Sequence, residues 1–386
     1  MIEWLELGQW GPTVVVAVLL AATMVWVLVW LPLRRARRHW VAILEQVAGV
    51  LLSLVLTLLL VALAMNRVND WYPTWRSLTS PATVEHVQTV GRPLAPAPGQ
   101  AGWVTGTPTA VQAHPTTNPA LGKQDWTDAA QGKYLVATVA GTVSHVVGHV
   151  MVWLPPSYLG HPERFYPVVL GFSGVPGRFL AYRDNLHVGE TLSMLSAEHA
   201  MRESIVVVPD VFPNNLDTEC VDSVDGSIAT ETWVVDDVSH WITTNLRAVD
   251  DPQAWATTGY SAGGWCSSML TMRHPERYRW SVSMSGYFQP LFAQTRYRPA
   301  DDPAYDLGLI ARRDAPPVRL WFWTARDDRM PYRQWSGFVG HVRNPTSLTT
   351  TLLGGGGHSW PLWTAGFPAG MMWLGEQSSQ FGWVQA

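Results

Sequence analysis

Residues 259–263 read Gly-Tyr-Ser-Ala-Gly, which places Ser261 at the centre of the pattern Gly-x-Ser-x-Gly. The pattern follows a short strand-like run, and residues 265–273 behind it are compatible with a helix. Between a strand and a helix, the two glycines let the backbone turn sharply and leave the serine hydroxyl exposed. We therefore predict that Ser261 is the nucleophile of an acyl-transfer reaction. The alternative is a small residue in a tight turn.

A serine hydroxyl is a poor nucleophile until a neighbouring base removes its proton. His358 follows the strand-like residues 347–353 and a run of four glycines, 354–357. Because glycine permits backbone conformations closed to other residues, we expect this loop to fold toward Ser261 and bring His358 there as the base. The alternative is a loop histidine without a role in chemistry.

Two adjacent carboxylates are candidates for the residue that orients this histidine. Asp327 and Asp328 come directly after the strand-like residues 318–324. Open α/β sheets build their sites at the carboxyl ends of strands, and the chain order serine, acid, histidine is that of α/β-hydrolases. We favour Asp328 as the acid and keep Asp327 as the alternative.

The developing oxyanion of an acyl-transfer reaction needs backbone N–H donors. One donor should be the amide of Ala262, which directly follows the nucleophile. The other should come from the turn after the strand-like residues 166–172, and we assign it to the amide of Val175. A plain loop rich in glycine and proline is the alternative interpretation of that turn.

The elements that position these residues begin with strand-like runs at 134–144, 149–154 and 166–172, after which helices near 189–202 and 231–246 alternate with a strand at 204–209. That order is typical of a mostly parallel sheet with helices on both faces. With the nucleophile motif and the order serine, acid, histidine, it predicts an α/β-hydrolase fold preceded by two transmembrane helices. We divide the chain into a two-span membrane anchor (1–66), a juxtamembrane segment with a Pro/Gly/Ala-rich linker or arm (67–132) and a catalytic domain (133–386).

The two apolar runs of the anchor cover residues 12–33 and 41–65. Each is long enough to cross the hydrocarbon core of a bilayer. The cationic residues between them, 34–38, should lie in the cytoplasm by the positive-inside rule, which places everything after residue 66 outside. A cleaved signal peptide and a helical hairpin buried in a soluble protein are the alternatives. Aromatic residues at 71–75 are candidates for a collar at the lipid headgroups.

Composition narrows the function further. The formal net charge is −4, so no basic field points to nucleic acid as a partner. No metal or organic cofactor is implied by the sequence. The 22 tryptophans suit either a core or an aromatic surface for lipid or membrane. Trp265, Trp360 and Trp363 stand near the predicted catalytic residues and would suit a lipid or glycolipid substrate.

Several motifs occur together and in one order: Val-Trp-Leu-Pro-Pro-Ser-Tyr at 152–158, Gly-Tyr-Ser-Ala-Gly-Gly at 259–264, His-Pro-Glu-Arg-Tyr at 274–278 and Gly-His-Ser-Trp at 357–360. From about residue 133 the chain resembles the esterase D group of α/β-hydrolases. That group includes S-formylglutathione hydrolases, feruloyl and enterochelin esterases, and secreted mycolyltransferases. With the two spans, the chain is similar to membrane-anchored esterase-like proteins of actinobacteria.

The resemblance implies serine-based ester chemistry, and two departures bear on the site. The oxyanion strand of this group commonly ends in His-Gly or Asp-Gly, whereas here Ser173 and Gly174 follow it, so Val175 takes the donor role by position alone. The Gly-x-x-Asp before the catalytic acid becomes Ala-Arg-Asp-Asp at 325–328, which supports Asp328 and lacks the glycine.

Cys220 and Cys266 are the only cysteines in the chain. In an oxidising compartment they could form a disulfide; two buried free thiols are the alternative.

Two classes of function follow. The first is an extracytoplasmic, membrane-anchored serine esterase or acyltransferase that acts on acyl esters, of lipids or of cell-envelope glycans, through an acyl-enzyme on Ser261. The second is a non-catalytic envelope scaffold or receptor with the same fold. The expected partners are an acyl-ester substrate and the lipid bilayer; protein partners, oligomeric state and the acyl acceptor are left open.

Overall fold

The computed structural model describes residues 3–33, 39–69, 71–79, 83–91, 102–113, 126–128, 132–291, 298–299 and 302–383. The chain divides into two compact units, which are treated separately here. The first unit contains residues 1–83, 325–329 and 354–359, and the second contains 84–324, 330–353 and 360–386.

The first unit is built on two long apolar helices. Helix α1 (Trp10–Val25) continues through a π-helical turn (Trp26–Trp30) and a last turn (Leu31–Leu33), and α2 spans His39–Asn69. The stretches Trp10–Leu33 and Trp40–Arg67 have mean hydropathies of 2.7 and 2.8 and are long and apolar enough to cross a membrane. The two apolar helices are thus confirmed, and their insertion and orientation stay predictions.

The helices contact each other along a narrow seam and expose the rest of their apolar surface. Leu7, Val16, Leu56 and Leu63 form a small buried cluster. Of the two apolar stretches, 17% and 11% respectively is buried. A hairpin inside a soluble protein would be mostly buried, so the structure argues against that alternative.

A short helix, α3 (Trp75–Thr79), follows α2 in the first unit, and a 3-10 turn (Glu3–Leu5) precedes α1.

The second unit is organised around a ten-stranded sheet in the order β1-β12-β11-β10-β9-β7-β8-β5-β4-β3. The strands are β1 (Val84–Val90), β3 (Trp126–Asp128), β4 (Gly132–Ala140), β5 (Val147–Leu154), β7 (Val168–Phe172), β8 (Ile205–Pro209), β9 (Trp255–Tyr260), β10 (Trp280–Met284), β11 (Arg319–Ala325) and β12 (Ser347–Leu353); β2 (Val104–Thr105) and β6 (Arg164–Phe165) form a separate pair.

The middle of the sheet is parallel and its margins are antiparallel. Strands β8, β7, β9, β10 and β11 pair in parallel, whereas β3, β4 and β5 pair antiparallel, as does β1 with β12. All residues of β7, β8, β9, β10 and β11 are buried. Such fully buried runs are typical of parallel strands with helices on both faces. The α/β-hydrolase architecture expected from the sequence is therefore confirmed.

The helices of this unit follow the strands in the alternation that the sequence predicts. They are α4 (Ala110–Ala113), α5 (Ala181–Asp184), α6 (Val188–Ala197), α7 (Thr230–Thr232, a π-helical turn Trp233–Val238, then Ser239–Asn245), α8 (Ala262–Arg273), α9 (Leu307–Arg313), α10 (Arg329–Phe338) and α11 (Trp360–Gln377).

Strand β1 lies outside the segment that the sequence analysis assigned to the catalytic domain. It pairs with β12 from Val84↔Leu353 to Val90↔Leu348, with an irregular register between Val84 and His86. Its valines stand three residues apart, at 84, 87 and 90, so the period-two alternation that reveals a strand is missing. The sheet thus begins before residue 133, and the predicted boundary at that residue stays a prediction.

Candidate active site

Ser261 sits on the sharp turn between β9 and α8. Its backbone has φ 56° and ψ −127°, a conformation that costs free energy for any residue other than glycine. Its amide donates a hydrogen bond of 2.9 Å to the carbonyl oxygen of Met284, at the end of β10. The strand, turn and helix predicted around this serine are confirmed.

The glycines two residues to either side of Ser261 allow this turn. A Cβ atom at Gly259 would lie 2.0 Å from the carbonyl oxygen of Gly263, and a Cβ at Gly263 would lie 2.0 Å from the carbonyl oxygen of Phe172. Neither position has room for a side chain. The close approach of β9, α8 and the end of β7 therefore depends on both glycines.

The turn that follows β7 lies against the serine. A Cβ atom at Gly174 would be 3.0 Å from the Cβ of Ser261. The amide of Ala262 opens α8, and first-turn amides have no acceptor within their own helix. These positions suit an oxyanion site; the assignment of Ala262 and Val175 as its two donors stays a prediction.

His358 and Asp328 lie together in the first unit. The Nδ1 atom of His358 is 3.1 Å from Oδ1 and 3.2 Å from Oδ2 of Asp328. The aspartate is 1% exposed. A carboxylate only accepts hydrogen bonds, so this pairing places a proton on Nδ1, and in the neutral imidazole Nε2 is then the nitrogen that accepts. That tautomer is the one a general base requires.

Asp327 binds backbone instead. Its Oδ1 accepts from the amide of Gly357 at 3.0 Å, and its Oδ2 accepts from the amide of Gly356 at 3.4 Å and from Oγ1 of Thr74 at 3.5 Å. Burial raises the pKa of Asp327 above its ordinary value, and the two glycine amides oppose that shift. Of the two adjacent aspartates, the structure thus pairs Asp328 with the histidine.

The five predicted catalytic residues divide between the two units. His358 and Asp328 belong to the first, and Ser261, Ala262 and Val175 belong to the second. The structure places His358 beside Asp328 and Gly174, which precedes Val175, against Ser261; the joint action of all five residues is a proposal.

Aromatic rings surround the residue that precedes the nucleophile. The Tyr260 ring lies 4.9 Å, centroid to centroid, from both Trp360 and Trp363. Trp265 is different, because it is fully buried and stacks on Tyr287 at 5.5 Å. The expectation that Trp265 faces substrate was therefore wrong: its position on α8 directs the ring into the core.

Cys220 and Cys266 form a disulfide, so the two thiols are not free. The bond ties α8, five residues after Ser261, to the loop that precedes α7.

The neighbouring Glu219 contributes contacts that the sequence analysis missed. Its carbonyl oxygen accepts from Nε1 of Trp265 at 2.9 Å, and its buried carboxylate accepts from the Tyr287 hydroxyl at 3.0 Å and the Leu291 amide at 3.1 Å. Burial, followed by the nearby Glu219 charge, raises the pKa of Tyr287 well above its ordinary value. No motif marks Glu219, although an acidic residue directly before Cys220 was visible in the sequence.

Among the described residues, no group of three His, Cys, Asp or Glu side chains could hold a metal ion.

Comparison with known proteins decides the family. The model of the Esterase family, described as "Putative esterase", matches residues 147–355, more than half of the chain. The chain belongs to the Esterase family. The resemblance found in the motifs is thereby confirmed. No curated protein matches this chain by sequence.

Solved structures with the same fold are distant in sequence. A ferulic acid esterase shares 21% identity with a TM-score of 0.51, and the match covers 63% of this chain and 97% of that chain. An S-formylglutathione hydrolase from Agrobacterium tumefaciens shares 16% identity with a TM-score of 0.53, covering 66% and 98%. An enterobactin esterase from Shigella flexneri shares 13% with a TM-score of 0.50, covering 63% and 59%. At these identities the likeness shows the fold.

Proposed function

We propose that this member of the Esterase family is a membrane-anchored serine esterase or acyltransferase with Ser261, His358 and Asp328 as its catalytic triad. The observation that carries the proposal is the backbone of Ser261, held at φ 56° between β9 and α8. A strained non-glycine residue persists where the surrounding structure fixes it, and such residues cluster at active sites. The His358–Asp328 pair supplies the base that this serine needs.

The chemistry follows from the proposed roles. Nε2 of His358 takes the proton from the hydroxyl of Ser261 while Oγ attacks the carbonyl carbon of the ester. The Asp328 carboxylate stabilises the imidazolium that forms. The tetrahedral oxyanion binds the amides of Ala262 and Val175. Collapse breaks the bond to the alkoxy group, which leaves with the proton from His358, and the acyl group stays on Ser261.

The second half-reaction determines whether the protein is an esterase or an acyltransferase. A hydroxyl group, of water or of a sugar or lipid, gives its proton to His358 and attacks the acyl-enzyme; the bond from the acyl carbon to Oγ of Ser261 then breaks, and His358 returns the proton to Oγ. Water yields the free acid, and an acceptor hydroxyl yields a new ester. The outcome depends on how well the site excludes water and binds the acceptor.

We further propose that the two apolar helices anchor the protein in a membrane, with the catalytic domain on the extracytoplasmic side. Support comes from the apolar surface that both helices expose and from the four arginines among residues 34–38, which favour a cytoplasmic connection. The Cys220–Cys266 disulfide suits an oxidising compartment.

The substrate proposed is an acyl ester of a lipid or of a cell-envelope glycan. Trp360 is half-buried beside Tyr260, the residue before the nucleophile. Trp363 stacks on the same tyrosine. Aromatic walls of this kind bind apolar chains and sugar faces.

The test is labelling of the full-length protein in detergent micelles with a fluorophosphonate probe. Wild type should be labelled, and Ser261→Ala and His358→Ala should not. Ser336→Ala and His240→Ala are matched controls, because both side chains are exposed, and they should label like wild type. A folded wild-type protein that stays unlabelled would favour the scaffold hypothesis. Hydrolysis and transfer are then separated by supplying an acyl ester with and without a glycerol or sugar acceptor.

A further inference from the structure

The chain segment that follows the second apolar helix contacts the loop that carries His358. We call residues 71–79 the juxtamembrane segment and residues 354–359 the histidine loop. Gly357 has φ 60°, and a Cβ atom there would lie 2.2 Å from the carbonyl oxygen of Trp71 and 2.8 Å from Cδ of Pro73. The backbone next to His358 therefore rests directly on the juxtamembrane segment.

Asp327 joins the two elements by hydrogen bonds. Its carboxylate accepts from the amides of Gly356 and Gly357 in the histidine loop and from the hydroxyl of Thr74 in the juxtamembrane segment. Thr74 and Ser77 in turn bond each other at the start of α3: the Ser77 amide donates to Oγ1 of Thr74 at 3.0 Å, and the Thr74 amide donates to Oγ of Ser77 at 3.2 Å. A single half-buried carboxylate thus holds the loop against an ordered turn.

The juxtamembrane segment is itself tied to the apolar helices. Asn66, buried near the end of α2, donates to the carbonyl oxygen of Tyr72 at 2.9 Å and accepts from its amide at 2.8 Å. On the other side, the carboxylate of Glu6 accepts from the amide of Trp75 at 3.0 Å. Hydrogen bonds, together with the covalent chain from Tyr72 to Thr74, therefore connect the helical hairpin through the juxtamembrane segment and Asp327 to the histidine loop.

The composition of the histidine loop makes these ties consequential. Residues 354–357 are all glycine, and glycine has the largest conformational freedom to lose. Without external contacts, such a loop would sample many positions of the residue that follows it. A displacement of about 1 Å in a catalytic group can cost about 100-fold in rate.

We propose that Asp327 is a positioning residue and that the juxtamembrane segment holds the histidine loop through it, so that the apolar hairpin is a structural part of the active site as well as an anchor. This inference rests on the proposed function of His358 as the general base. It separates the two adjacent aspartates by role: Asp328 acts on the imidazole, and Asp327 acts on the loop that carries it.

The test uses the full-length protein in detergent micelles with two substitutions. Asp327→Asn removes the charge that gathers the two glycine amides, and Asn66→Ala removes both bonds to Tyr72. Matched controls are Asp250→Asn, whose side chain is 71% exposed, and Asn245→Ala, whose amide bonds only its own helix turn among the described contacts. All variants are first checked for an unchanged melting profile.

We expect Asp327→Asn to lower kcat on a soluble p-nitrophenyl ester by about 10- to 100-fold, with KM changed less than about twofold. Asn66→Ala should lower kcat in the same direction by a smaller factor. Hydrogen exchange of the peptide that contains residues 354–359 should be faster in both. The pH of half-maximal rate should stay where it is in wild type, because the Asp328–His358 pair is intact. Both controls should behave as wild type.

Two results would overturn the inference. The first is that Asp327→Asn and Asn66→Ala keep the kcat and the hydrogen exchange of wild type while Ser261→Ala abolishes hydrolysis. This result would show that the hairpin does not support the histidine loop, and it would leave the proposed function intact. A pH profile and a rate loss in Asp327→Asn equal to those of Asp328→Asn would make Asp327 a direct partner of the histidine. By contrast, wild-type hydrolysis in Ser261→Ala and His358→Ala would refute the proposed function itself.

Discussion

Replacing Asp328 with asparagine tests the proposed catalytic triad selectively, because the substitution keeps the size of the side chain and removes its charge. Asp328 is 1% exposed, and its oxygens lie 3.1 and 3.2 Å from Nδ1 of His358. When His358 takes the proton of Ser261, this carboxylate faces a positive imidazolium at short range. The transition state therefore depends on a charge that the free enzyme does not need.

The magnitude follows from that geometry. At an effective dielectric constant of about 20, two unit charges about 4 Å apart attract each other by about 4 kcal/mol. Each 1.36 kcal/mol is about tenfold in rate, so the loss of the attraction predicts a fall in kcat of about 10³-fold. An asparagine amide can also donate to Nδ1 and hold the ring in the wrong tautomer, which brings the expected loss to between about 10³- and 10⁴-fold.

The assay is steady-state hydrolysis of a p-nitrophenyl ester by the full-length protein in detergent. KM should change by less than about twofold, because the substitution removes an interaction made only in the transition state. Asp250→Asn, an exposed carboxylate in the Arg277 ion pair, serves as the control and should keep wild-type kcat. A folded Asp328→Asn protein whose kcat falls less than about tenfold would refute the role of Asp328 in stabilising the His358 imidazolium.

Three further predictions concern the framework. Gly263→Ala places a methyl group 2.0 Å from a carbonyl oxygen at the end of β7. It should lower the free energy of unfolding, measured by denaturant titration, by about 1–3 kcal/mol and slow labelling by the fluorophosphonate probe. Wild-type stability and wild-type labelling would contradict the packing argument. The double substitution Cys220→Ala and Cys266→Ala removes a disulfide between residues with a sequence separation of 46 and should lower the free energy of unfolding by up to about 4 kcal/mol. An unchanged denaturation midpoint would mean that the disulfide does not restrict the unfolded chain enough to stabilise the fold. Burial raises the pKa of Glu231, but the His274 hydrogen bond and a neighbouring arginine lower it below 4.5 overall, so Glu231→Gln should destabilise by about 3 kcal/mol at neutral pH. A carboxylate whose pKa is lower in the folded than in the unfolded state stabilises the fold at pH values above the unfolded pKa, and this stabilisation is lost as the pH falls. The difference in Tm between wild type and Glu231→Gln should therefore shrink in acid. A difference that does not change with pH would show that the charge of Glu231 is not its cause.

The nucleophile turn was predictable because its determinants are local. Gly259 and Gly263 are visible in the sequence, and the structure shows that neither has room for a Cβ. The strand before Ser261 and the helix after it follow from short-range patterns, and both are confirmed. The α/β architecture followed in the same way from alternating apolar strands and helices.

The distinction between Asp327 and Asp328 was not predictable from local sequence to the same degree. Two adjacent aspartates have the same chemistry, and only the tertiary structure turns one carboxylate to His358 and the other to the glycine amides. Strand β1 was missed for a related reason, since its pairing partner, β12, lies more than 250 residues away.

The contacts between the juxtamembrane segment and the histidine loop could not be predicted from the sequence either. Residues 71–75 predicted an aromatic collar by composition, yet nothing in them marks the carbonyl of Trp71 or the hydroxyl of Thr74 as partners of the histidine loop. Asn66 directly follows the apolar run 41–65 and precedes Arg67, which was a visible signal. A polar residue there needs a partner, and its partner is the backbone of Tyr72.

The central claim is that Ser261 is acylated during turnover and depends on His358 for its reactivity. Rapid quenching of the reaction with a p-nitrophenyl ester, followed by peptide mass mapping, tests it directly. The account predicts an acyl adduct on the peptide that contains Ser261, absent in Ser261→Ala and formed far more slowly in His358→Ala. An adduct on a different side chain, or hydrolysis at the wild-type rate by Ser261→Ala, would contradict it.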